Sequence, residues 1–141
     1  MSLKKKVGII DYGAGNISSI FNAINFLEYD AKFISRPSEA NNYSHLILPG
    51  VGNFGKLAKN LQENNWKFEI EKLVKDGHML FGICVGMQLL FEKSEEAPND
   101  EGLGLFRGSL TNFKSKDNDF KLPVPHIGFN LVTHQNTPIW K

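Results

Sequence analysis

The only cysteine of the chain, Cys84, lies in a segment whose glycine spacing is typical of a catalytic nucleophile. Residues 82–86 read Gly-Ile-Cys-Val-Gly, the thiol counterpart of the G-x-S-x-G nucleophile elbow. Glycine on both sides allows a sharp strand-to-helix turn, because a Cβ at either position would crowd the neighbouring helix or strand. A helix N-terminus after the cysteine favours the thiolate, the form that attacks a carbonyl carbon. We therefore predict that Cys84 is a nucleophile.

Attack on a carbonyl carbon also needs N–H donors for the oxyanion that develops. The N–H of Val85, the residue after the nucleophile, is one candidate. A second glycine-rich segment, 49–55, reads Pro-Gly-Val-Gly-Asn-Phe-Gly. Because glycine peptides rotate freely, Gly50, Val51 and Gly52 are the best candidates for the second donor.

The simplest alternative is that Cys84 is an inert, small buried residue and that its glycines occur by chance. The surrounding pattern favours the catalytic interpretation. An apolar strand is predicted before the cysteine, a helix after it, and a second glycine-rich loop follows another predicted strand.

Hydrophobic spacing predicts strands that alternate with helices in the first part of the chain. Strands are predicted at Lys6–Ile10, 31–34, His45–Leu48 and 79–83, and helices at 17–28, with Asn16 as N-cap, and at 57–75, as one helix or two. This alternation predicts an α/β three-layer sandwich with a mostly parallel central sheet and right-handed crossovers. The glycine-bearing loops 11–16, 49–55 and 82–86 should then meet at the carboxyl edge of the sheet.

Secondary structure is also predicted for the residues from 79 onward. The apolar run 79–83 is predicted to be a strand buried on both faces, followed by a helix over 85–91. Residues 92–108 are rich in Glu, Gly, Pro and Asn and are predicted to form an exposed loop. The final third is predicted to be β-rich, with strands at 109–113 and 129–133.

Composition limits the class of protein. The 141 residues carry a formal charge of +1 and 41% hydrophobic side chains, which is typical of one globular domain over 1–141. The near-zero charge argues against nucleic acid or an anionic membrane as a partner. No apolar stretch is long enough to span a bilayer, so a cytoplasmic location is the default expectation. One cysteine excludes an internal disulfide and a cysteine-cluster metal site, and we expect no metal or other cofactor.

Several stretches resemble a known enzyme family. Segments 49–55 and 82–91 resemble class I glutamine amidotransferases, whose fold is flavodoxin-like. Three further stretches resemble the glutaminase subunits of imidazole glycerol phosphate synthases: 11–16 (Asp-Tyr-Gly-Ala-Gly-Asn), Glu95-Glu96 with 102–105 (Gly-Leu-Gly-Leu), and 125–130 (Pro-His-Ile-Gly-Phe-Asn).

The resemblance implies an enzyme that hydrolyses L-glutamine to glutamate and ammonia. It implies that ammonia passes to a (β/α)₈ cyclase partner, which makes imidazole glycerol phosphate and an aminoimidazole carboxamide ribotide in histidine biosynthesis. Cys84 matches the family nucleophile, and Gln88 and Glu96 match positions that hold the amino-acid end of glutamine. Taken without the family, Gln88 and Glu96 would be ordinary surface residues.

By the same resemblance, Asn16, His126, Phe129 and Asn130 belong to the face that docks on the cyclase. The family usually has methionine and tryptophan where this chain has Ile127 and Phe129. A smaller aromatic side chain can fill the same apolar slot. A paralogue that serves another partner, for example in amidating a surface sugar, is the alternative.

The family completes its catalytic triad with a histidine and a glutamate in an H-P-E motif beyond residue 141. None of the four histidines of this chain occupies such a position. We therefore expect a fold that is incomplete at its C-terminus and a 141-residue chain with little or no glutaminase activity. Two other interpretations stay open: a non-catalytic module that binds the cyclase, and an unrelated cysteine hydrolase or redox protein.

Overall fold

A computed structural model describes residues 6–113, 123–124, 128–131 and 133 of the chain. Its centre is a four-stranded sheet in which every neighbouring pair is parallel, in the order β2-β1-β3-β4. The strands are β1 (Lys6–Ile10), β2 (Asp30–Ile34), β3 (His45–Leu48) and β4 (Met79–Gly82). All four predicted strands of this part of the chain are confirmed, with bounds that differ by one residue at most.

Helices occupy both faces of this sheet. Helix α1 (Ile17–Phe26) connects β1 to β2, a short 3-10 helix (Pro37–Asn42) precedes β3, and α2 (Phe54–Glu63) and α3 (Trp66–Lys75) connect β3 to β4. The region predicted as one helix or two forms two, because Asn65 adopts a left-handed conformation with φ of 59°. No helix among the described residues is long and apolar enough to cross a membrane.

The core has two parts, one on each face of the sheet. Beneath α1, four strand residues are buried against the helix: Val7, Ile9, Ala31 and Ile47. On the opposite face, a larger cluster joins the sheet to α2 and α3 through Phe54, Leu57, Leu61, Trp66, Ile70 and Leu73. Residues that alternate along β1 therefore serve different faces, as expected for a strand covered on both sides. The three-layer α/β prediction is confirmed.

The expectation that the strand at 79–83 is buried on both faces is wrong for the described residues. Strand β4 pairs only with β3 in this sheet, and the side chains of Met79 and Phe81 are each 64% exposed. The cause is the position of α1, whose apolar side chains pack over β1, β2 and β3. Leu80, which faces the other way, packs against the larger core.

The predictions for residues after Cys84 need three corrections. The helix expected over 85–91 ends early, as α4 (Val85–Gln88), and the expected loop 92–108 contains most of a strand, β5 (Phe91–Ser94). Strand β6 (Phe106–Leu110) begins before the predicted 109–113 and pairs with β5 in parallel. Backbone hydrogen bonds across the segment, such as Leu103 N–H to the Leu89 carbonyl at 2.7 Å, hold it against the core. Hydrogen bonds between backbones do not require a regular spacing of hydrophobic residues, so the sequence pattern did not indicate β5 or the start of β6.

The strand expected at 129–133 is not present among the described residues of this segment. Residues 128–131 and 133 belong to no strand, and Val132 lies outside the described residues. Within the described part of the final third, regular β-structure is therefore limited to β6.

Candidate active site

The glycine-bearing loops after β1, β3 and β4 meet at the carboxyl edge of the sheet, as predicted. The N–H of Val51 donates to the carbonyl of Ala14 at 3.3 Å, which joins the loops after β3 and β1. The N–H of Ile83 donates to the carbonyl of Leu48 at 3.0 Å, which brings the end of β4 beside the end of β3. The strand order places this edge at a topological switch point, where ligands of open α/β sheets bind.

Cys84 is the turning residue between β4 and α4, and its backbone is strained. Its φ of 55° and ψ of −120° lie in a region that residues with a side chain rarely occupy. The thiol is exposed. A strained backbone that presents an exposed thiol at a strand-to-helix turn has the geometry of a nucleophile elbow.

Both flanking glycines are required by close packing. A Cβ on Gly86 would collide with the backbone carbonyl of Leu48, and one on Gly82 would lie 2.6 Å from the Cα of Met87. Backbone atoms cannot move aside as the end of a flexible side chain can. The packing that the G-x-C-x-G pattern predicted is therefore confirmed. The helix that follows is shorter than expected, so its four residues add few aligned peptide dipoles behind the thiol.

The loop after β3 lies directly against this elbow. A Cβ on Gly50 would come within 2.8 Å of the carbonyl carbon of Val85 and within 3.0 Å of its Cβ. The N–H of Val85 has no acceptor among the described residues, whereas the N–H of Val51 is engaged by Ala14. Gly52 has a φ of 116°, a conformation suited to glycine.

Gln88 and Glu96 line the same cavity, which has a volume of about 540 Å³. In the sequence, only the family resemblance indicated that these two residues act together. Ser94, Glu95, Asn112 and Phe113 are also in its wall. Cys84 is not a lining residue, but its carbonyl accepts a hydrogen bond from the N–H of Gln88 at 3.2 Å. The cavity therefore begins one helical turn after the thiol.

Glu96 is held by the start of α2, a contact that the sequence did not predict. The side-chain amide of Asn53 donates to Glu96 Oε1 at 2.7 Å, and the N–H of Phe54 donates to Oε2 at 3.4 Å. Asn53 is also the N-cap of α2, with Oδ1 accepting from the N–H of Lys56 at 3.0 Å. An asparagine directly before an amphipathic helix is an N-cap signal that sequence reasoning could have used.

Tyr12 is a second residue that the sequence did not single out. Its side chain is buried, and its hydroxyl donates to the carbonyl of Pro49 at 2.6 Å. Burial raises the pKa of the Tyr12 hydroxyl well above its usual range, so the group stays neutral and keeps its proton for this bond. Tyr12 therefore fixes the orientation of the Pro49–Gly50 peptide beside the elbow.

Neither described histidine lies near Cys84. His45 is the first residue of β3 and His78 directly precedes β4, which places both at the edge of the sheet opposite the thiol. Ring nitrogens of His45 and His78 contact Ser44 Oγ and the carbonyl of Tyr43, each at 2.8 Å. His126 and His134 lie outside the described residues. The described residues contain no cluster of three side chains that could bind a metal ion.

The residues assigned to a partner-binding face are described only in part. Asn16 precedes α1, but its left-handed backbone prevents the predicted capping bond, and its Oδ1 accepts from the hydroxyl of Ser19 at 3.1 Å instead. Phe129 and Asn130 are exposed. His126 and Ile127 lie outside the described residues.

Comparison with known proteins defines the class. Residues 10–118 match the model of the CobB/CobQ-like glutamine amidotransferase domain, and the chain belongs to this family. A crystal structure of a glutamine amidotransferase superposes with a TM-score of 0.67 at 25% identity, covering 84% of this chain and 59% of that one. The predicted fold class and family resemblance are confirmed.

More particular relatives are synthase subunits. The chain is 42% identical over 137 residues to the imidazole glycerol phosphate synthase subunit HisH of Helicobacter hepaticus, covering 90% of this chain and 62% of that protein. It is 41% identical over 124 residues to the imidazole glycerol phosphate synthase hisHF of Schizosaccharomyces pombe, covering 88% of this chain and 22% of that protein. The chain thus spans about three fifths of the length of the Helicobacter relative.

Proposed function

We propose that this protein is the glutaminase subunit of an imidazole glycerol phosphate synthase, which hydrolyses L-glutamine to glutamate and ammonia. The observation that carries the proposal is the strained backbone of Cys84, with φ of 55°, between two glycines that packing requires. The likeness to the Helicobacter hepaticus subunit supports the choice of synthase.

In the proposed reaction, the Cys84 thiolate attacks the side-chain carbonyl carbon of glutamine. A tetrahedral intermediate forms, and its collapse breaks the C–N bond to leave a thioester and ammonia. Water then attacks the thioester and releases glutamate and the thiol. A general base must take the thiol proton and return it to the departing ammonia. In the family that the chain resembles, the histidine of an H-P-E motif performs this task.

The proposed oxyanion donors differ in whether their N–H groups are already engaged by another acceptor in this conformation. The N–H of Val85 is available in this conformation, and Gly50 and Gly52 lie on the loop that faces it. Val51 can serve only after its N–H leaves the carbonyl of Ala14. The N–H donors of the proposed oxyanion hole are therefore only partly available in this conformation.

The amino-acid end of glutamine is proposed to lie in the cavity lined by Gln88 and Glu96. Glutamine carries an ammonium group and a carboxylate at this end, and Glu96 supplies an anionic acceptor while Gln88 supplies an amide. Because Gln88 lies one helical turn after Cys84, an amino acid held there would place its side-chain carbonyl on the side of the thiol.

The proposed partner is a (β/α)₈ cyclase that receives the ammonia. The Schizosaccharomyces pombe relative, whose name joins hisH and hisF, supports an association with the rest of the synthase. Residues 1–141 by themselves are proposed to have little or no glutaminase activity, because the histidines among the described residues, His45 and His78, lie at the opposite edge of the sheet from Cys84.

A diazoketone analogue of glutamine tests the proposal, because it alkylates a cysteine only after binding as glutamine does. We expect one adduct, on Cys84, whose formation L-glutamine suppresses, and none in Cys84→Ser. Labelling by iodoacetamide but not by the diazoketone would contradict the glutaminase proposal. A (β/α)₈ cyclase tests the partner separately: we expect the two chains to co-purify in a pull-down, and a failure of the chains to bind each other would contradict the proposed partnership.

A further inference from the structure

The side chain of Asn53 uses both of its polar atoms at once, one within α2 and one across the fold. Its Oδ1 caps α2 by accepting from the N–H of Lys56 at 3.0 Å. Its amide nitrogen donates to Glu96 Oε1 at 2.7 Å, although Glu96 lies 43 residues later in the sequence. The capping bond orients the amide, so the donor that faces Glu96 is fixed by the helix.

The carboxylate of Glu96 is consequently oriented before any ligand arrives. Asn53 engages one oxygen, and the N–H of Phe54 engages the other at 3.4 Å. Each carboxylate oxygen has two lone pairs, so accepting one bond leaves capacity for another donor. A glutamate side chain free in solution would lose considerable rotamer entropy on binding a ligand, and these two bonds remove part of that loss in advance.

The loop that carries Glu96 does not depend on Asn53 for its position. Asp100 and Ala97 pack against Gly55 so closely that a Cβ at Gly55 would lie 2.8 Å from the Cβ of Ala97. Lys59 on α2 pairs with Asp100 at 3.6 Å. Removing the amide of Asn53 should therefore release the Glu96 carboxylate and leave the loop in place.

We infer that Asn53 is a positioning residue for substrate recognition: it aims Glu96 at the ammonium group of the amino acid bound in the cavity. This inference rests on the proposed function, since it takes glutamine as the ligand and Glu96 as the acceptor. It adds a residue whose contribution is to the recognition of the α-amino group, separate from the chemistry at Cys84.

The variant that isolates this role is Asn53→Ser. Serine is as good an N-cap as asparagine, so α2 keeps its cap, but the hydroxyl is too short to replace the amide donor to Glu96. The test uses the whole protein as it is produced from its gene. It compares the rate of Cys84 alkylation by the diazoketone analogue of glutamine, by the same diazoketone without its α-amino group, and by iodoacetamide.

We expect Asn53→Ser to slow labelling by the amino-bearing diazoketone about tenfold, the usual effect of losing one hydrogen bond to a charged group. Labelling by the desamino diazoketone and by iodoacetamide should not change. In a double-mutant cycle, Asn53→Ser should have little further effect in a Glu96→Gln background, because it acts through that carboxylate.

Two results would overturn the inference. Equal slowing of both diazoketones would show a merely structural role for Asn53, and an unchanged rate with the amino-bearing diazoketone would show no role in recognition. Glu96→Gln separates these failures from failure of the proposed function. If Glu96→Gln does not discriminate between the two diazoketones, then Glu96 does not bind the ammonium group, and the proposed substrate site is wrong together with the inference.

Discussion

Replacing Tyr12 with phenylalanine should destabilise the protein by an amount that depends on pH. Tyr12→Phe keeps the buried ring but removes the hydroxyl that donates to the carbonyl of Pro49 at 2.6 Å. The carbonyl is then left without this donor. Loss of one partner in a buried hydrogen bond costs about 1–3 kcal/mol in the free energy of unfolding near neutral pH.

The pH dependence follows from the raised pKa of the Tyr12 hydroxyl. Because the folded protein keeps the proton that the unfolded chain releases at its ordinary pKa, the contribution is complete below about pH 10 and is lost as the pH rises. The stability advantage of the native protein over Tyr12→Phe should therefore shrink by about 1.4 kcal/mol between pH 9 and pH 11. Other titrating groups are common to both proteins and cancel in the difference.

Urea unfolding at a series of pH values measures this difference directly, with the fluorescence of the buried Trp66 as one probe of unfolding. Tyr29→Phe is the matched control, since Tyr29 is 42% exposed and should change stability by less than about 0.5 kcal/mol. A difference between native protein and Tyr12→Phe that stays constant up to pH 11 would refute the reasoning, because the hydroxyl would then titrate alike in folded and unfolded states.

Three further comparisons between variants test the geometry of the elbow and the cap. Cys84→Gly should be more stable than Cys84→Ala by about 1 kcal/mol in thermal unfolding, because glycine accepts the φ of 55° without strain; equal melting temperatures would argue against strain. Gly86→Ala should cost about 1–3 kcal/mol and slow diazoketone labelling, since its Cβ meets the Leu48 carbonyl, whereas Gly128→Ala, in open space, should do neither. Asn53→Ala should lose about 1 kcal/mol of stability and Asn53→Ser almost none, and equal losses would mean that the cap to Lys56 is unimportant.

The strained cysteine and its close-packed glycines explain why one short motif was enough to predict the turn at Cys84. Gly82 and Gly86 lie two residues before and two residues after Cys84, so the constraint that they satisfy is visible in five consecutive residues. The strands β1, β3 and β4 could be predicted in the same way, because short apolar runs bounded by turn residues are typical of strands in a parallel sheet. The alternation of strands and helices predicts a parallel sheet, and in a parallel sheet the loops after these strands meet at one edge.

Contacts between distant segments could not be predicted in this way. Strands β5 and β6 form in a region rich in glycine and charge because their backbones pair with each other, and pairing leaves no hydrophobic period. The exposure of Met79 and Phe81 depends on where α1 packs, which their own apolar sequence does not reveal.

The sequence by itself thus determined the strand-helix alternation, the elbow at Cys84 and the family of the chain. Each of these is recognised from short segments, whose residues lie close together in the chain. Tertiary structure decided which side chains support them. The hydroxyl of Tyr12 reaches Pro49 across 37 positions, and the amide of Asn53 reaches Glu96 across 43. Hydrogen bonds of this kind depend on the distance between atoms in the folded state, and only packing of the whole sheet brings those atoms together.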